Sequence, residues 1–165
     1  MSSRQLGGEP VRGKRYAEIN TLAIRYLSRR DYSRRELHHK LLAQSFPPEG
    51  IEAVLNDLAE KDYQSDQRFA EMFLRSRVSR GDGPFKIKLA LKQKGIAETL
   101  IQQLLEESDI NWFAEAHKAR QKHFGIPLPN DTKSLSKQMR YLRNKGFYQE
   151  HIDAAIRADT DMSGA

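Results

Sequence analysis

Apolar residues recur along this chain at three- and four-residue spacing, in successive stretches separated by Gly, Pro, Ser, Asp or Asn. That spacing places them on one stripe of an amphipathic helix. It predicts helices over 16–29, 33–44, 48–61, 65–80, 84–94, 97–107, 110–123, 132–145 and 149–158. Long alternating β-branched runs are absent, as are hairpin dipeptides flanked by such runs, so no strand is expected.

The boundaries carry their own signals. Ser33 and Glu36 have capping-box spacing, in which hydroxyl and carboxylate each bond the other's backbone N–H. Pro84 after Gly83 suits a first helical position, where its missing N–H costs nothing. Gly95 and Gly146 each follow a Lys and end an apolar-periodic stretch, as left-handed C-terminal stops do. Asp109 and Asp131 are placed to cap the helices that follow them.

These elements repeat. Leu41, Leu91 and Leu142 align, followed by Ser45, Gly95 and Gly146, then Phe46, Ile96 and Phe147. Further columns hold Ile51, Ile101 and Ile152; Val54, Leu104 and Ala155; Leu55, Leu105 and Ile156. The period is 50 and then 51 residues, room for three helices each. The pattern is a two-helix joint: an apolar helix end, a stop, an apolar plug, then a new amphipathic helix. The expected fold is therefore all-α, with three tandem three-helix repeats (15–62, 63–108 and 109–159) stacked into an elongated, curved, solenoid-like array. Residues 1–14, with their Gly and Pro, read as a disordered tail, and 160–165 as a loose end.

Composition narrows the chemistry. The chain has 165 residues and no Cys, which excludes disulfides, thiolate metal sites and a cysteine nucleophile, and suits a reducing cytoplasm. No stretch approaches the roughly 18 apolar residues of a membrane span, and no apolar run follows the N-terminal charges as in a secretory signal. Net charge is +6, and it is sorted within the repeat. Residues 25–40, 68–94 and 118–145 carry net charges of +4, +6 and +7; the third helices, over 49–62, 98–109 and 150–161, carry −4, −4 and −3. Stacked repeats would merge the cations into one basic track, which attracts a polyanion such as nucleic acid or an acidic protein surface. Alternatively, each basic run is the solvated face of a stable helix.

No catalytic constellation is visible. There is no GxxxxGK[ST] and no HExxH. Gly81-Asp82-Gly83 reads as a turn into Pro84 rather than a nucleotide loop. His38 and His39 point about 100° apart on a helix, and His117 and His123 lack single-face spacing. Glu106-Glu107 lies at a helix end in an acidic run. No enzyme, cofactor or metal is expected. Phe69 and Phe73, at i and i+4 beside Met72, read as core; Tyr32, Tyr63 and Tyr148 read as corner residues; Trp112 and Phe113 read as core between repeats.

Three runs resemble the RecX family: Leu27 to Leu41, Asp66 to Ile96 and Met139 to Ile152. The middle run is the most specific, with Asp66, Arg68-Phe69-Ala70, Phe73, Arg77, Gly83-Pro84, Ile87, Leu91 and Lys94-Gly95-Ile96 in family order. The first repeat matches through Arg30, Ser33, Glu36-Leu37 and Lys40-Leu41, and the third through Gly125, Leu142, Gly146-Phe147 and Ile152. The resemblance implies a bacterial cytoplasmic regulator of the RecA recombinase, built of three-helix repeats. It implies binding to RecA filaments on single-stranded DNA, with suppression of ATP hydrolysis, strand exchange and co-protease activity, and so modulation of recombination and the SOS response. On charge register, Arg68, Arg75, Arg77, Lys86, Lys88, Lys92, Arg140 and Arg143 are the expected contacts to RecA or DNA, single-stranded or duplex, by a monomer. Without the resemblance two rivals stand beside this one: a helix-turn-helix-like DNA-binding protein acting without RecA, and a passive helical scaffold for an acidic protein.

Overall fold

The computed structural model describes residues 9–163, and side chains over 15–157. The described residues form α-helices joined by short turns, with no strand among them. In order they are α1 (Glu9–Leu27), α2 (Arg34–Ala43), α3 (Pro48–Glu60), α4 (Asp66–Ser79), α5 (Pro84–Gln93), α6 (Glu98–Glu107), α7 (Trp112–Phe124), α8 (Thr132–Asn144) and α9 (Gln149–Ser163). All-α character and the three-helix grouping follow the sequence expectation.

Three expectations about helix boundaries are corrected. Residues 9–14 were expected in a loose tail but form the start of α1. Pro10 occupies its first turn, where no intrahelical N–H bond is required. Likewise α9 runs on to Ser163, past the expected end at 158; the remaining tail positions, 1–8 and 164–165, lie outside the described residues. Asp109 does not cap α7. The Asn111 side chain accepts from the Ala114 N–H at 3.1 Å, because the chain stays extended through Ser108 and Asn111.

The other boundary signals appear as read. Ser33 and Glu36 form the reciprocal capping box, both bonds at 3.1 Å. Asp131 accepts from the Ser134 N–H at 2.7 Å. Gly95 and Gly146 stand at φ +83° and +98°, and Ser45, in the same column, at +64°. At Gly146 the motif is complete: its N–H bonds the Arg143 carbonyl and the Phe147 N–H reaches back to Leu142. The α4 stop is built the same way, with Gly81 bonding Val78 and Asp82 bonding Arg77.

The chain divides into two compact units. One runs through Ala70 and includes Lys94–Ile96; the other comprises Glu71–Gln93 and the chain from Ala97 onward. The first closes over Ile19, Ala23, Tyr32, Leu37, Leu41, Ile51, Val54, Leu55 and Leu58, drawn from α1, α2 and α3 and the turn between α1 and α2. Each fully buried Leu or Ile there contributes about 1.5–3 kcal/mol of transfer free energy. In the second, α7 lies along α9, and Ala116, Ala119 and Ala155 let the helices approach while Leu142, Phe147 and Ile152 fill the centre. Phe69 and Phe73 are buried, as expected of core; Tyr63 and Phe113 are exposed, so they plug no interior gap.

Each unit contains a related corner, bonded backbone to backbone in the second unit and held by side chains in the first. A Lys-Gly corner docks onto the start of an earlier repeat's second helix. In the second unit Gly146 lies against Lys86, and Gly83 lies against the Gly146 backbone so closely that a Cβ on Gly83 would stand 2.4 Å from the Gly146 carbonyl carbon. The Gly83 N–H donates to the Lys145 carbonyl at 2.7 Å and the Phe85 N–H to the Gly146 carbonyl at 3.0 Å. Unsatisfied donors at the start of α5 thus meet unsatisfied acceptors at the end of α8. In the first unit Gly95 sits against Arg35, and the neighbouring Lys94 reaches Glu36 at 3.0 Å.

Burial pushes the Glu36 carboxyl up. Hydrogen bonds from Arg30, Lys94 and the Ser33 N–H, with the Arg30 charge, outweigh it and hold the group below its ordinary value. Its stabilisation is therefore complete above the unfolded value near 4.5 and is lost as pH falls through the lower folded value.

Two outcomes follow. Gly83→Ala should destabilise the fold by at least about 2 kcal/mol, since backbone rather than a flexible side chain must move. Ser45→Gly should be neutral or stabilising by up to about 1 kcal/mol, by relieving left-handed strain. Urea denaturation measures both, and equal effects of the two would contradict the joint. Glu36→Gln should cost about 1–2 kcal/mol at neutral pH and progressively less in acid, a difference read from denaturation midpoints across pH.

Candidate polyanion interface

The cations divide into those anchored by the fold and those left outside it. Arg68 is anchored within the first unit: its guanidinium meets Asp31 at 3.1 Å and Asp62 at 3.4 Å, and donates to the Asp62 and Tyr63 carbonyls. The hydrogen bond to Asp31 raises its pKa. It thus ties the start of α4 to the turn after α1.

The other expected contacts belong to the second unit. Asp82, only 3% exposed, gathers Arg77 at 3.5 Å, Lys86 at 3.4 Å and Lys145 at 3.2 Å. Arg77 also lies over the Phe73 ring. One buried carboxylate facing three cations leaves net positive charge at this point, with the ammonium and guanidinium groups partly in water. Lys92 pairs with Glu98 at 3.1 Å, Arg143 donates to Gln149 at 2.8 Å, and Lys88 stands over the Tyr148 ring. Among the described residues Arg75 and Arg140 are exposed and have no ion pair or side-chain hydrogen bond.

Arg120 is different. Counted with the basic residues of the third repeat, it is fully buried, donating to Gln138 at 3.1 Å and to the Ile126 carbonyl at 2.9 Å. Burial lowers its pKa. It secures the turn between α7 and α8 and presents no charge to a partner.

Sequence reading also passed over a feature of the second unit. A cleft of about 230 Å³ opens between the end of α4, α7 and α8, lined by Arg80, Lys118, Lys122, Lys145, His123 and Tyr141, with Glu115 also on its wall. Lys118 and Lys122 are i and i+4 on α7, so they share one face. His123 lies parallel on Tyr141, ring centroids 4.0 Å apart. The spacing of Lys118 and Lys122 was the available signal; the convergence of Arg80 and Lys145 required the fold. Among the described residues no group of His, Asp or Glu is arranged to hold a metal, and no helix is long and apolar enough to cross a membrane.

Asp82 is the test of which cations are structural. Asp82→Asn should lower stability by about 1–3 kcal/mol, less than for a fully buried ion pair because its partners are partly solvated. Chemical denaturation reads this; an unchanged midpoint would show that the three cations do not depend on the carboxylate.

Comparison with known proteins places this arrangement. Family models for the RecX three-helix domains match in chain order: the first over residues 21–65, the second over 65–105 and the third over 109–156. The chain is 38% identical over 140 residues to Regulatory protein RecX of Halorhodospira halophila, covering 85% of this chain and 87% of that protein. It is 40% identical over 134 residues to Regulatory protein RecX of Chromohalobacter salexigens, covering 81% and 88%. In fold it is similar to the crystal structure of RecX from Lactobacillus salivarius, with a TM-score of 0.75 at 23% identity over 90% of this chain and 98% of that one. The ordered matches of all three domain models, together with this identity over most of the length of both relatives, establish that the chain belongs to the RecX family of regulatory proteins.

Proposed function

We propose that this protein binds RecA filaments on single-stranded DNA in the cytoplasm and restrains them, inhibiting ATP hydrolysis, strand exchange and co-protease activity. Family membership carries the reading. The charge sorted along the chain supports it, because a filament presents repeated sites, and several modest contacts on one molecule then act at high effective concentration. On this reading, of the three repeats over 15–62, 63–108 and 109–159, the second and third supply the named contacts, and the protein works as a monomer.

The contacts divide by their local bonds. Arg75 and Arg140, exposed without ion pairs among the described residues, and Lys88, held only over a ring, can engage a partner with no internal bond broken. Arg77, Lys86, Lys92 and Arg143 would contact it from fixed positions, their charges oriented by Asp82, Glu98 and Gln149. Arg68 would act chiefly by holding the first unit together.

DNA-dependent ATP hydrolysis by RecA, measured with this protein added below RecA stoichiometry, tests the function. Inhibition is expected, and no inhibition would overturn it. Arg75→Glu combined with Lys88→Glu should weaken binding to preformed filaments about tenfold or more, with native circular dichroism. Unchanged binding would remove these two residues from the interface.

A further inference from the structure

The cleft between α4, α7 and α8 offers more than positive charge. Arg80, Lys118 and Lys122 have no acidic partner among the described residues, although Glu115 shares their wall. Lys145 is fixed there by Asp82 and by its 3.3 Å bond to the Arg80 carbonyl, so one ammonium is pre-positioned. Gathering like charges on one concave wall raises the local positive potential. Such a wall suits an anion with several acceptor oxygens, which ammonium and guanidinium groups bind through charge-assisted hydrogen bonds.

Beside these cations is an aromatic platform. Tyr141 supports one face of the His123 ring, the planes only 13° apart, and Phe124 braces both rings edge-on, with centroids 4.7 Å from His123 and 5.1 Å from Tyr141. His123 itself is exposed, leaving its outer face to a flat ligand. A rigid stacking face next to cations that follow a phosphate is the physical basis of single-strand recognition, because every base has a π-face. A phosphate-bearing protein segment would use the cations but not the platform, so a nucleotide fits the combination better.

We propose that this cleft binds one nucleotide unit of a single-stranded nucleic acid: the phosphate on Lys118, Lys122 and Arg80, the base on His123. The inference rests on the filament reading only for the source of the strand. It is tested without RecA, so its failure leaves inhibition of RecA untouched, and loss of inhibition leaves it untouched.

The full chain is titrated into labelled oligothymidylate and into an abasic strand of equal length, followed by fluorescence anisotropy. Lys118→Gln with Lys122→Gln should weaken oligothymidylate binding about tenfold and make the log–log salt dependence shallower by up to about 0.7, the share of one single-strand phosphate contact. His123→Ala should weaken oligothymidylate severalfold and leave the abasic strand unaffected. A control pair of exposed cations elsewhere, Arg29→Gln with Lys61→Gln, should change binding less than twofold. Binding by the Lys118/Lys122 variant within twofold of the original, with native circular dichroism, would overturn the site. Equal response of both strands to His123→Ala would overturn the base platform. Competition by free thymidine monophosphate as effective per nucleotide as the oligomer would overturn the strand in favour of a free nucleotide.

Discussion

A helix end meeting a helix start is the contact on which this structure depends. At the end of α8 the carbonyls of Lys145 and Gly146 have no intrahelical donors; at the start of α5 the N–H groups of Gly83 and Phe85 have no intrahelical acceptors. The joint satisfies both sets at once, at 2.7 and 3.0 Å. It also brings the negative end of one helix to the positive end of another. Only glycine allows the approach, since a Cβ on either Gly83 or Gly146 would fall 2.4 Å from a neighbouring atom. The left-handed turn at Gly146 then directs Phe147 and Ile152 into the core beside Leu142. Lys145 stands next to that glycine and is drawn onto Asp82. In the first unit the Arg34 N–H bonds the Asp66 carboxylate instead, and the corner is held by Lys94 on Glu36 with Gly95 against Arg35.

The joint explains why so much of the fold was legible in the sequence. A left-handed stop favours glycine for steric reasons, so Gly95 and Gly146 marked their corners, and Ser45 could be placed by the period alone. Capping also has short-range rules, which Ser33, Glu36 and Asp131 obey. The helix expected from 110 begins at Trp112, two residues later, so Asn111 rather than Asp109 has the capping geometry. Residues 9–14 looked loose because their Gly and Pro were weighed without position, and a proline in a first turn breaks nothing. The interior position of Arg120 was hidden because burial of an arginine depends on acceptors, Gln138 and the Ile126 carbonyl, that only the folded turn supplies.

Charge register was a coarser guide to which cations the fold leaves outside its own bonds. Whether a cation is anchored depends on acids remote in sequence: Asp31 for Arg68, and Asp82 for Lys145. The sequence showed the excess of Lys and Arg but not this division of labour. Part of the positive charge builds the joints, and part remains outside them. For a member of a regulatory family this has a mechanical consequence. The helices that carry Lys88 and Arg140, α5 and α8, are themselves joined end to start, so these cations stand on a braced element rather than a loose arm. The cleft of Lys118 and Lys122 shares this support, since Lys145 serves the joint and the cleft together.

Amide hydrogen exchange at Gly83 and Phe85 tests the joint most directly. Both N–H groups precede any intrahelical partner, so in an ordinary helix start they would exchange at loop-like rates. If the α8 carbonyls hold them, they should exchange only when the second unit opens, as slowly as amides in the middle of α7. Rapid exchange at both positions, with the centre of α7 still protected, would contradict the account.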